Sequence, residues 1–124
     1  MIKLVYLAIG GAIGALSRFG VSQFFYTHLK HGFPWSTLYI NVFGSFLIGL
    51  LWGIFQTVSI SNNLRALIFI GFLGAFTTFS AYSLEIFTLI QNNHFTNAVL
   101  YIFLSNFLGI VFVFTGFYLS KLLI

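Results

Sequence analysis

Long apolar stretches separated by short polar breaks dominate the hydropathy pattern of this chain. A helix needs about 20 mostly apolar residues to cross the roughly 30 Å hydrocarbon layer of a membrane. Four stretches meet that length, and polar residues, glycine or the single proline interrupt the chain between them. The pattern predicts one transmembrane domain over residues 1–124, with spans at approximately 4–26, 36–57, 65–90 and 96–121.

The composition also indicates a lipid environment. Of the 124 residues, 60% are hydrophobic and 5% are charged, against about 25% charged in an average soluble domain. Backbone groups must be paired inside lipid, and runs this long do not fit the short alternating strands of a barrel. We therefore expect an all-α, multi-pass integral protein of the cell membrane.

Several functional classes conflict with the charged residues. The five basic residues are scattered and form no patch that could follow a phosphate backbone, so no nucleic acid is expected as a partner. The chain has a single acid, Glu85. Neither a pair of carboxylates nor a Ser/His/Asp arrangement can be built, so the chain is not expected to be an enzyme.

A single bundle of four helices packs around its own side chains and encloses little space. A symmetric dimer is the simplest way to create a transport path. Lys3, Arg65 and Lys121 fall on one side of a four-span topology and Lys30 on the other. This weak bias favours cytoplasmic termini.

Two ionisable residues lie inside spans, where such groups are costly and therefore functional candidates. Arg18 lies about two-thirds along the first span, where it either anchors at the interface or draws anions into a vestibule. Glu85 lies near the end of the third span. It suits a proton or cation carrier, or an anion path if it points into a hydrated vestibule.

The middle of the third span is rich in glycine, Thr and Ser. Either the helix is broken there, so that freed carbonyl groups can hold a cation such as Na⁺, or it is continuous and its hydroxyls bond back to their own carbonyls. Asn41 with Thr37 in the second span, and Ser105 and Asn106 with Tyr101 in the fourth, form similar polar groups. They either join helices or line a polar path.

These residues also carry a family resemblance. Gly71-Phe72-Leu73-Gly74, Thr77-Thr78-Phe79-Ser80 and Ser83-x-Glu85 resemble the G-F-x-G-G-x-T-T-F-S-x-F-S-x-E signature of the Fluc (CrcB-type) fluoride channels. The first-span segment that ends at Arg18 and the Thr37-x-x-x-Asn41 pattern resemble further motifs of that family. The resemblance extends over the whole chain in length, span number and motif order.

The resemblance implies an antiparallel dual-topology dimer with a broken third helix, two pores that pass fluoride, and a central structural Na⁺ that is not transported. Carbonyl groups of Gly74 and Thr77 would hold this Na⁺. The implied function is passive leak of cytoplasmic fluoride, which confers fluoride resistance. The implied positions are a fluoride path at Thr37, Asn41, Phe79, Ser80, Tyr82, Ser83, Tyr101 and Ser105, and a vestibule at Arg18 and Glu85.

Two positions depart from the family pattern. Tyr82 replaces the second phenylalanine of the aromatic pair, and Ala75 replaces the second glycine after Gly74. Tyr82 retains the electropositive ring edge and adds a hydroxyl donor. One of the two pores is therefore expected to conduct differently.

Two other functions remain as alternatives. The chain could be one partner of an obligate heterodimer with a paralogue, which Tyr82 and the charge bias favour. It could instead be a small multidrug-type, proton-coupled transporter, but these carriers depend on a first-span glutamate. Here the first span contains Arg18 and no acid.

Overall fold

The computed structural model describes residues 1–29 and 32–124, and within these residues every regular element is helical. Four helical segments are long and apolar enough to cross a membrane. The prediction of an all-α, multi-pass membrane protein is thereby confirmed. Lys30, which entered the topology argument, lies outside the described residues. The four segments are Ile2–His28, Trp35–Ile54, Asn62–Gln91 and Phe95–Leu123.

We label the first two helices α1 (Ile2–His28) and α2 (Trp35–Ile54), and the last one α5 (Phe95–Leu123). Helix α2 ends three residues before the predicted position 57. The carbonyl of Ile54 then accepts from the Thr57 N–H and Oγ1, both at 3.1 Å, and from the Val58 N–H at 2.9 Å. This turn satisfies a terminal carbonyl of the helix and directs the chain out of the span.

The third span consists of two helices, α3 (residues 62–76) and α4 (Phe79–Gln91). Helix α3 starts with one α-helical turn, continues as a π-helix over Ala66–Leu73 and ends with Gly74–Phe76. Thr77 (φ −82°, ψ 157°) and Thr78 (φ −149°, ψ 121°) between them have extended backbones. The side chain of Thr78 then caps α4 by accepting a hydrogen bond from the Ala81 N–H at 3.1 Å.

Close backbone contacts at glycines hold the helices in two pairs. In the α2–α5 pair, a methyl group on Gly49 would collide with the carbonyl of Val113, and one on Gly116 would collide with the carbonyl of Phe46. In the α1–α3 pair, Gly10 is equally close to the carbonyl of Leu67. Small residues at these positions let the helix axes approach, as is common in membrane proteins.

The core is small, and most large apolar side chains lie outside it. Tyr101 and Ile40 are almost fully buried, whereas the rings of Phe103, Phe107 and Phe114 on α5 are more than half exposed. An exposed apolar surface of this extent matches a lipid environment or a second membrane subunit.

Candidate functional site: a polar groove at the interrupted third span

Asn41 on α2 holds the extended segment of the third span. Its Nδ2 donates to the carbonyl of Thr78 at 3.0 Å, and its Oδ1 accepts from the Thr78 N–H at 2.9 Å. Both backbone groups of Thr78 therefore have a side-chain partner where no helix can supply one. Asn41 joins the helices here, and the second hydrogen of its amide remains for another acceptor.

Only some of the carbonyl groups at the end of α3 accept a hydrogen bond. Thr77 donates to the carbonyl of Leu73 from its N–H at 3.1 Å and from its Oγ1 at 2.9 Å. Arg18 Nε donates to the carbonyl of Ala75 at 3.1 Å. Among the described residues, no hydrogen bond reaches the carbonyls of Gly74 and Thr77.

This contact gives Arg18 a function that the sequence did not suggest. Its side chain is partly buried and lies against the end of α3. A cation at the C-terminal end of a helix offsets the partial negative charge of the unpaired carbonyls. Arg18 therefore stabilises the interruption of the third span.

A groove of about 350 Å³ is lined by residues for which different functions were predicted from the sequence. Its wall includes Asn41, the predicted Na⁺ ligands Gly74 and Thr77, and the predicted pore residue Phe79. The Phe79 side chain is 79% exposed. The polar groove thus extends from the extended segment at Thr77 and Thr78 to the exposed ring of Phe79.

Glu85 connects three helices. Its Oε2 accepts from Thr37 Oγ1 at 2.9 Å and its Oε1 accepts from the Tyr101 hydroxyl at 2.8 Å. Thr37 is 6% exposed and Tyr101 is fully buried. Glu85 also lines a cleft of about 460 Å³ with Trp35 and other residues near the end of the span. The carboxylate therefore accepts hydrogen bonds from two buried hydroxyls and also borders an open cleft. This position is compatible with the predicted vestibule.

Aromatic rings follow one another from the groove towards the Glu85 network. The ring centroids of Phe79 and Tyr82 are 5.5 Å apart, those of Tyr82 and Tyr101 5.2 Å, and those of Tyr101 and Phe33 5.6 Å. The two hydroxyl groups have different partners: Tyr101 donates to Glu85, whereas Tyr82 accepts from Asn106 Nδ2 at 3.0 Å.

Comparison with known proteins adds a family to this geometry. The family described as "CrcB-like protein, Camphor Resistance (CrcB)" matches residues 5–117. The chain belongs to the CrcB family. This result confirms the resemblance found in the third-span signature.

Curated members of the CrcB family are similar to this chain over nearly its whole length. A protein of Parabacteroides distasonis named "Fluoride-specific ion channel FluC" is 44% identical over 121 residues, which cover 98% of this chain and 94% of that protein. Proteins of the same name from Thermus thermophilus and Magnetococcus marinus are 41% and 38% identical over 122 residues. Both alignments cover 98% of this chain, with 96% and 99% of the respective relatives.

The three serines assigned to the path of this CrcB-family chain differ in their surroundings. Ser80 is exposed, and its Oγ lies 3.3 Å from Thr78 Oγ1. Ser83 is exposed on α4. Ser105 Oγ is buried and has no hydrogen-bond partner among the described residues. An unpaired buried hydroxyl is costly and marks a site where a further polar group would be favourable.

One hydrogen-bonding residue at this site was missing from the sequence-based set: Thr78 caps α4 and holds both polar atoms of Asn41. Asn106, which was expected to join helices or line a polar path, binds the hydroxyl of Tyr82. A threonine directly before an apolar helical run is a helix-start signal, so Thr78 could have been found. The Asn106 contact joins residues 24 positions apart, and no local pattern indicates it.

Proposed function

We propose that this chain is a subunit of a fluoride-selective channel that lets cytoplasmic fluoride cross the cell membrane passively. The relatives named fluoride-specific ion channels support this proposal, because they align with 98% of the chain. A channel requires no catalytic chemistry, in agreement with the prediction that the chain is not an enzyme.

The observation that carries the proposal is the groove at the interruption, where hydrogen-bond donors and a ring edge lie together. Fluoride is small and strongly hydrated, so a pore must replace its water with donors. The free hydrogen of the Asn41 amide and the positive edge of the Phe79 ring are donors of this kind on the groove wall. The exposed hydroxyls of Ser80 and Ser83 offer further donors beyond the groove, on α4.

A dimer completes the pathway in this proposal. The groove of one subunit is open on one side, and Gly74 and Phe79 on its wall are exposed. A second copy in the antiparallel orientation would cover the groove and create two paths lined by the same residues, so the effect expected of Tyr82 on one pore would apply to both. The large exposed apolar surface supplies contact area for the second copy and for lipid.

The carbonyls of Gly74 and Thr77 fit the structural Na⁺ of this proposal. Backbone oxygens suit a hard monovalent cation, and these two lack hydrogen bonds among the described residues. Space is also present, because a Cβ on Gly74 would meet only the carbonyl of Phe69, at 3.9 Å. A bound Na⁺ would supply positive charge that offsets the partial negative charge of the unpaired carbonyl oxygens. The carbonyls of Gly74 and Thr77 would hold the ion.

Fluoride efflux from liposomes that contain only this purified polypeptide tests the proposal. We expect rapid fluoride release and no chloride release above that of protein-free liposomes. Chloride release as fast as fluoride release would contradict the selectivity. Proton-driven transport of a cationic dye without any fluoride release would instead favour the small multidrug-type transporter.

An obligate heterodimer is the second candidate, and the distribution of basic residues favours it. Lys3, Arg65 and Lys121 lie at the end of the bundle where α1 and α3 begin and α5 ends. A charge bias fixes the orientation of a chain in the membrane, and a fixed chain needs a partner of opposite orientation. Fluoride flux that appears only after a paralogue is added would establish this candidate.

A further inference from the structure

Asn106 fixes the direction of the hydrogen bond at the Tyr82 hydroxyl. Its Nδ2 donates to the carbonyl of Ile102 at 2.8 Å and to the oxygen of Tyr82 at 3.0 Å. A backbone carbonyl can only accept, so the amide nitrogen and not the amide oxygen must face it. Both amide hydrogens are then used, and the Tyr82 oxygen is an acceptor.

The hydrogen of the Tyr82 hydroxyl is consequently available for another group. A phenol has one donor in addition to its acceptor positions, and in the described part of the chain no acceptor receives this one. A hydroxyl that already accepts a hydrogen bond also becomes a stronger donor. Tyr101, the neighbouring tyrosine, differs because its hydrogen is bound by Glu85.

The ring of Tyr82 lies beside the proposed fluoride path. It lies between Phe79, on the wall of the groove, and Tyr101, in the Glu85 network. A permeating anion that leaves the Phe79 ring edge would next meet Tyr82. A hydrogen bond from a hydroxyl to an anion is charge-assisted and stronger than a contact with a ring edge.

We infer that the Tyr82 hydroxyl donates a hydrogen bond to fluoride in the pore and that Asn106 is the positioning residue that orients it. This inference rests on the proposed channel function and adds a binding group to it. Conduction requires sites that bind an ion yet release it. Tyr82 should therefore allow the channel to saturate at lower fluoride concentration than a phenylalanine would.

The experiment measures fluoride efflux against fluoride concentration for the parent protein, Tyr82→Phe, Asn106→Leu and the double variant. Loss of one charge-assisted hydrogen bond should raise the half-saturating concentration about tenfold in Tyr82→Phe. Asn106→Leu should raise it in the parent and have no further effect in the Tyr82→Phe background, because Asn106 acts through this hydroxyl. Tyr118→Phe, at an exposed ring on α5, is the matched control and should leave the concentration unchanged.

A second measurement separates this inference from the channel proposal. Fluoride added to the purified parent protein in micelles should produce a tyrosine ultraviolet difference band that Tyr82→Phe lacks. That band without flux would support the inference and overturn the channel function. Flux with equal half-saturation in the parent and Tyr82→Phe, or additive effects of the two substitutions, would overturn the inference. Dimer dissociation in Tyr82→Phe would also overturn it, since the hydroxyl would then bind the second subunit.

Discussion

Replacing Asn41 by leucine should loosen the extended segment of the third span. Leucine is close to asparagine in size but has no polar atoms, so both backbone groups of Thr78 lose their partner. The substitution therefore affects two hydrogen bonds between α2 and the third span. Since Asn41 is also assigned to the fluoride path, efflux should fall as well.

The expected loss of stability follows from these two bonds. Hydrogen bonds between membrane helices contribute about 0.6 to 2 kcal/mol each. Losing both should lower the free energy of unfolding by about 2 kcal/mol, because the Thr78 groups are left unsatisfied. If the segment opens locally by that amount, the Thr78 amide should exchange about 30-fold faster, since 1.4 kcal/mol corresponds to a factor of ten.

Two assays measure these quantities. Titration with sodium dodecyl sulfate in mixed micelles, followed by circular dichroism, gives the change in unfolding free energy. Hydrogen exchange resolved by nuclear magnetic resonance gives the rate at the Thr78 amide, with the buried Ile40 amide as internal reference. Ser45→Ala is the control, because the one hydrogen bond of the Ser45 hydroxyl to another described residue runs to the Asn41 carbonyl of its own helix, at 2.8 Å.

The reasoning would be refuted if Asn41→Leu unfolded like Ser45→Ala and the Thr78 amide exchanged at the parent rate. Slower efflux in such a variant would then assign Asn41 to the ion path alone. Slower efflux together with faster exchange would show that Asn41 also holds the chain that lines this path.

Three further predictions concern the ring, the helix contact and the cation. Phe79→Ile should slow fluoride efflux about tenfold or more while the dimer remains assembled, because it removes the positive ring edge from the groove. Gly116→Leu should destabilise the protein by at least about 1–3 kcal/mol in the same detergent titration, because its side chain would enter the α2 backbone. Fluoride efflux should cease after complete exchange of Na⁺ for K⁺ and return with Na⁺, without any flux of radioactive Na⁺.

Each of these predictions has a matched control. Phe87→Ile changes an exposed ring on the same helix as Phe79, and equal efflux in the two variants would exclude Phe79 from the path. A Cβ on Gly20 would meet no atom of residues 1–29 and 32–124 within 4 Å, so Gly20→Leu should unfold like the parent, and Gly116→Leu must differ from it. Full fluoride efflux in Na⁺-free solution would contradict the structural cation.

The four spans could be predicted from hydropathy because a long apolar segment inside lipid must form a helix to pair its backbone groups. The exact end of α2 lies within the few residues of uncertainty of that prediction, and hydropathy does not report the hydrogen bonds to the carbonyl of Ile54 that are made there. Hydropathy averages over many residues, whereas a helix terminus is decided by a few local hydrogen bonds.

The chemical type of the site residues allowed them to be predicted from the sequence, but their hydrogen-bond partners could not be predicted. Glu85 and Arg18 were recognised because charged groups inside a membrane are costly. Their contacts with Tyr101 and Ala75 depend on how the helices are rotated against each other. Asn41 was left between joining helices and lining a path, and its two bonds to Thr78 show that it joins them.

The π-helix of Ala66–Leu73 has a consequence for the direction in which side chains point further along the third span. A chain with hydrogen bonds five residues apart turns through a smaller angle per residue than an α-helix. The buried residues of this stretch are Ala66, Gly71 and Leu73, and Ala66 and Gly71 lie five residues apart. If this stretch became an ordinary α-helix, the chain would reach Thr78 rotated about the helix axis, and Asn41 would face the wrong side of it. The π-helix of α3 thus determines the rotation about the helix axis at which Thr78 and α4 face α2.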